Sequence, residues 1–121
     1  MDRIRLKLIL QDKNLARLGD AYINFIFSLA ITEVEYVPTG TKVSDRVLAN
    51  AAKRSGLRGL LPNRVSRGSI ANAVEAIIVY VWLKKLIILE EAVNILKASL
   101  RDPSQAISNL IYEAINRIEI E

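Results

Sequence analysis

Two carboxylates lie where a carboxylate is costly. Asp20 follows Gly19 inside the largely apolar stretch Leu15 to Ala30, and Glu75 lies between Val74 and Ala76, three residues after Asn72. Taking a carboxylate's charge out of water without a partner costs several kcal/mol, so each acid needs a cation, a hydrogen bond or a metal. The chain has no His and no Cys. Imidazole and thiolate ligands, disulfides, Ser-His-Asp triads and histidine general bases are therefore excluded. Oxygen donors alone select a hard cation, and Mg²⁺ takes one or two carboxylates and completes its shell with water and substrate phosphate, Mn²⁺ being able to substitute. Such an ion suits phosphodiester cleavage, because it can position and acidify a water and neutralise charge developing on phosphorus. Spacing alone leaves a second reading open, in which Arg17 forms a structural ion pair with Asp20 or Glu75.

The charge distribution points to a polyanion. The net charge is +4, yet the stretch from Lys42 to Arg67 holds seven basic residues against Asp45 as its one acid. Lys42, Arg46, Arg64 and Arg67 are the candidate phosphate contacts, and Lys53, Arg54 and Arg58 the candidates for ordinary solvated surface. Tyr80 and Trp82 would suit base stacking if exposed, but their apolar setting favours the core.

The elements that must position these groups are helical. At 121 residues with 51% hydrophobic content, the chain has the size of one domain, with no room for an accessory RNA-binding module. The pattern predicts an all-α, compact domain of five to six helices. An N-terminal helix is expected over residues 3 to 10, although their alternation would also fit a strand. A second helix is expected from Asn14 to about Ala30, with Asn14, Arg17, Asp20 and Asn24 as a narrow polar stripe. Glu33 to Thr41 should be an extended turn. Ser44 can cap a helix from Asp45 to about Arg54 that stops at Ser55-Gly56, and a loop with one short helical turn follows to Arg67. A buried central helix is expected from about Gly68 to Leu86. Another runs from Glu90-Glu91 to around Arg101, and the last from Pro103 to about Ile118, introduced by Asp102-Pro103-Ser104-Gln105. The apolar run Ala76 to Leu83 is too short to span a bilayer, and the N-terminus has no secretory pattern, so a cytoplasmic protein is expected.

The stretch Leu15-Ala16-Arg17-Leu18-Gly19-Asp20-Ala21 resembles the signature motif of the ribonuclease III family. Ala71-Asn72-Ala73-Val74-Glu75-Ala76-Ile77-Ile78 is similar to that family's second acidic helix, and Val43 to Ala52 to the helix joining them. The similarity spans residues 14 to 83 and implies the family's compact helical catalytic fold. It assigns Asp20 and Glu75 to the two central metal-binding acids, which would act as catalytic residues with Mg²⁺. Ala16 and Asn72 fall where the full-length enzymes usually carry Glu and Asp. Asn72 could still offer a carbonyl oxygen to the metal; Ala16 offers nothing. The single-domain Mini-III branch, or a distant archaeal relative, is the nearest likeness, although Arg17 replaces the branch's aromatic residue. The resemblance further implies a homodimer that cuts both strands of double-stranded or structured RNA, precursor ribosomal RNA among the candidates. A noncatalytic RNA-binding or ribosome-associated protein that keeps the fold is the alternative, and a purely structural helical dimer a third.

Overall fold

The computed structural model describes residues 1–120, and all regular structure among them is helical. The element order is α1 (Arg3–Leu10), α2 (Lys13–Glu35), α3 (Asp45–Ser55), a 3₁₀ turn (Leu57–Leu60), α4 (Arg67–Leu83), α5 (Leu89–Ala98) and α6 (Pro103–Ile120).

Local chemistry explains most of these boundaries. Asp2 accepts the Arg5 N–H at 2.8 Å and opens α1 as a helix; Asp12 accepts from Asn14 and Leu15 and opens α2. Ser44 and Ser66 cap α3 and α4 through the Val47 and Ser69 N–H groups. Asp102 accepts from Gln105 ahead of Pro103. Each cap satisfies one or two of the donors that a helix start leaves free. Gly56, at φ 88°, ends α3 in the left-handed conformation that glycine adopts without strain.

Three boundaries depart from the sequence pattern. Glu33, Val34 and Glu35, expected in the extended turn, continue α2, and the chain turns only at Tyr36, at φ 60°. Tertiary contact accounts for the extra turn: the Lys97 ammonium on α5 reaches the Glu33 carboxylate at 3.2 Å, and α2 packs along α5. The central helix α4 stops at Leu83, before the expected Leu86, because Lys85 adopts φ 60° and the Leu86 and Ile87 N–H groups turn back onto the Val81 carbonyl. Helix α5 ends at Ala98, short of Arg101.

Helix α4 is the axis of the domain. Every residue from Ala73 to Val81 is buried, and α1, α2, α3 and α6 all pack against this helix. Ile77 and Ile78 meet a core that includes Ile23, Ile26, Leu48, Leu57, Leu96 and Ile111, all but closed to solvent. Tyr22 on α2 stacks on Trp82 of α4, their ring centroids 4.9 Å apart. Arg117 joins α6 to α5 and to the preceding loop through Glu91, Glu113 and the Leu86 carbonyl. No helix among the described residues is long and apolar enough to cross a membrane.

Helices α2 and α4 approach closely at Gly19. A Cβ built on Gly19 would lie 2.0 Å from the Glu75 carbonyl oxygen and 2.4 Å from its carbonyl carbon, so backbone meets backbone there. A mid-helix glycine costs about 0.5–1 kcal/mol relative to alanine, and this contact explains its use. Gly19→Ala must push the helices apart; we expect a loss of about 2–3 kcal/mol in urea unfolding despite the gain in helix propensity. An unchanged midpoint would show that the two helices do not meet at this level.

Candidate active site

The Gly19 contact places its neighbour. Asp20, next along α2, is half-buried and close enough to act on the carboxyl of Glu75, whose side chain is buried on α4. Glu75 is 6% exposed. The two acids that the sequence singled out are thus brought together.

Two carboxyls in such contact cannot both carry a full charge in a dry setting, and one must hold a proton. Glu75 holds it. Burial, first, and then the hydrogen bond and charge of Asp20 push its carboxyl from 4.5 up to about 8. The charge of Asp45 adds to the rise, and Lys42 opposes it. No ion pair among the described residues involves Asp20 or Glu75. Arg17, the candidate partner, is exposed. A hard cation is what this pair would accept in place of the shared proton, and the donors are oxygens throughout. On that chemistry the residues fit a divalent ion; among the described residues no cluster of three acids assembles around them.

The neighbouring site residues divide into two groups. Lys42, in the segment before α3, and Asp45, in the first turn of α3, act electrostatically on Glu75. Asp45 was not marked by the sequence pattern, in which it is simply an acid in the first turn of a helix; its nearness to Glu75 comes from how α3 docks on α4. Asn72 is exposed and lines a cavity of about 820 Å³ bounded by Leu6 and Leu10 of α1, Leu61, and Ile118 of α6. Ala16 is buried and contributes no polar atom. Asn24, noted in the sequence as part of the polar stripe, donates to Asp20 at 3.1 Å from the next turn of α2.

The basic residues also separate. Lys42, Arg46, Arg64 and Arg67 are exposed and make no ion pair among the described residues. Arg54 pairs with Asp102 at 2.8 Å, and Arg58 donates to the Pro62 and Asn63 carbonyls, shaping its own loop. Tyr80 is buried, whereas Trp82 keeps 36% of its surface exposed beside Tyr22.

The domain is all-helical among the described residues, with two acids brought together where α2 crosses α4 and with exposed cations on the segment around α3. The family model described as Ribonuclease III matches residues 13–118, and the chain belongs to the ribonuclease III family, a family of nucleases. The match takes in both acids and extends through α5 and α6, beyond the stretch whose motifs carry the resemblance. No curated protein matches the sequence.

The state of Glu75 sets a pH dependence. The unfolded chain releases this proton near 4.5 and the folded chain near 8, so between those values the folded state binds more protons and stability falls as pH rises. Below that window Glu75 contributes nothing; above it the whole penalty is present. In metal-free buffer Glu75→Gln should flatten this decline and gain a few kcal/mol over the wild type at pH 8, read from urea unfolding at pH 5 and pH 8. Parallel pH profiles for the two proteins would show instead that Glu75 is already ionised and compensated.

Proposed function

We propose that the chain is an endoribonuclease that hydrolyses phosphodiester bonds in double-stranded or structured RNA, with Mg²⁺ held by Asp20 and Glu75 and Mn²⁺ able to replace it. The observation that carries this reading is the pairing of a buried Glu75 with Asp20 without a basic side chain in ion-pair contact with either. When bound, the ion supplies charge neutralisation at the phosphate and lowers the pKa of water. Asp20, being half-buried, faces solvent and substrate, while Glu75 anchors the inner side of the site. Asn72, one turn before Glu75, opens instead toward the cavity beside α1, so the proposed site rests on Asp20 and Glu75. With no acid at positions 16 and 72, substrate phosphate and water must complete the cation's shell.

Lys42, Arg46, Arg64 and Arg67 hold the RNA backbone. A-form duplexes are gripped mainly through phosphates and 2′-hydroxyls, so charge and shape guide binding more than base sequence. Leu18, Phe25 and Trp82 are exposed on α2 and α4, and the Tyr22–Trp82 stack joins them into one apolar face. We assign this face to a homodimer contact, which would set two sites along one duplex.

One feature favours a second reading, a noncatalytic RNA-binding protein on the same fold: the positions of Ala16 and Asn72 carry no charge. Incubation with duplex RNA and Mg²⁺ separates the two. The first predicts cleavage that is abolished by Asp20→Asn and by Glu75→Gln; the second predicts salt-dependent binding without turnover in either metal. Cleavage that survives both substitutions would remove the assignment of the site. Arg67→Ala should weaken binding to all duplexes alike and reduce the slope of log affinity against log salt by about 1. A sequence-selective loss would instead mark Arg67 as a base contact.

A further inference from the structure

The polar face of α2 continues beyond Asp20 as a ladder. Asn24, Ser28 and Thr32 recur every fourth residue, and each binds the backbone of the segment that leads into α3. The Asn24 Oδ1 accepts the Val43 N–H at 2.8 Å. The Ser28 hydroxyl accepts the Thr41 N–H at 2.9 Å and donates to the Thr41 carbonyl at 3.2 Å. The Thr32 hydroxyl accepts the Thr39 N–H at 3.0 Å and donates to the Ser28 carbonyl at 2.9 Å. The chain of residues 39 to 43 therefore runs antiparallel to α2, with two of its residues per helical turn. The periods match: four helical residues rise about 6 Å and two extended residues span about 6.5 Å.

Asn24 is the rung that reaches the acids. Its Oδ1 is used by Val43, so its amide nitrogen is the group that faces Asp20, where it donates to Oδ1 at 3.1 Å. That bond occupies one side of the carboxylate and leaves the remaining lone pairs for Glu75 and a cation. The same rung fixes Val43, which is buried, and so sets where its neighbours Lys42 and Asp45 meet Glu75. From this geometry we infer that Asn24 is a positioning residue: one amide group orients the Asp20 carboxylate and registers the 39–43 segment against it. Ser28 and Thr32 register the segment alone.

The metal-binding role of Asn24 rests on the reading of Asp20 and Glu75 as a cation site; the ladder itself does not. Outer partners of metal ligands typically contribute 10- to 100-fold in metal affinity, so Asn24→Ala should weaken Mn²⁺ binding to the RNA-free protein by about that factor, measured by electron paramagnetic resonance. It should also speed amide exchange at Val43 several-fold while the protein remains folded by circular dichroism. Ser28→Ala should speed exchange at Thr41, raise KM for duplex RNA through a less fixed Lys42, and keep the wild-type Mn²⁺ affinity. Asn24→Asp, which still accepts from Val43 but no longer donates to Asp20, should keep Val43 protected and disturb Mn²⁺ binding.

The inference is overturned if Asn24→Ala leaves Mn²⁺ affinity unchanged, if Ser28→Ala lowers that affinity equally, or if Val43 exchange does not respond. A wild-type protein that binds Mn²⁺ through Asp20 and Glu75 but cleaves no RNA would defeat the endonuclease reading and leave this one standing. A wild type that binds no Mn²⁺ either alone or with duplex RNA present would overturn the positioning role along with the cation site.

Discussion

The structure depends on one backbone contact. Helices α2 and α4 meet where Gly19 lies against the Glu75 carbonyl, closer than any side chain would permit. Because the contact is made by main chain, its geometry does not relax with rotamers, and the residues beside it inherit fixed positions. Asp20 is one residue from the contact on one helix, and Glu75 is the contact on the other. A glycine's conformational cost in mid-helix is thereby exchanged for a carboxyl pair whose separation is set by the fold itself.

That rigidity has an electrostatic consequence. Glu75 lies in a wall of apolar residues running from Ala73 to Val81, and its burial works against its own ionisation. A protein selected for stability alone would fill this position with an apolar side chain, since a buried ionisable group without a compensating cation weakens the folded state. The surroundings supply only partial relief: Lys42 is near, but the like charges of Asp20 and Asp45 are near as well. Ionising Glu75 would therefore gather negative charge that no basic side chain among the described residues pairs with. Under the proposed function, a cation would relieve that charge.

Helix α2 connects the two kinds of chemistry. Its apolar face packs on α4 and α5, and its polar face carries Asp20, Asn24, Ser28 and Thr32 at one-turn intervals. The lower three bind a loop that would otherwise leave its backbone donors to solvent, and this delivers the start of α3 to the acids. Arg58 performs a comparable service in the next loop, donating to two carbonyls of its own segment. Basic residues close together in sequence therefore serve different ends: Arg54 and Arg58 hold loops and helices, while Lys42, Arg46, Arg64 and Arg67 remain exposed.

Much of this was legible in the residues alone. Capping groups such as Ser44 and Asp102 act on N–H groups two or three residues away, so the helix starts they announce need no tertiary information. The apolar character of the segment around Glu75 required a central helix, and two acids in apolar helices required a shared solution to their burial. Other features depended on distant parts of the chain. The last turn of α2 is retained by its packing on α5 against the local preference for an extended turn, and α4 ends early because the backbone after Leu83 folds back on Val81. Asp45 is an ordinary first-turn acid until α3 docks beside Glu75, and Asn72 opens toward the cavity by α1 although it shares a helix with Glu75. By itself, the sequence determined where most helices start, which segments face inward and which acids have to be accommodated in apolar helices, because those properties are set within a few residues of each position. Only the tertiary structure decided which charges meet, because the interaction of two charges depends on their separation in space and on the dielectric between them, and neither is a property of local spacing.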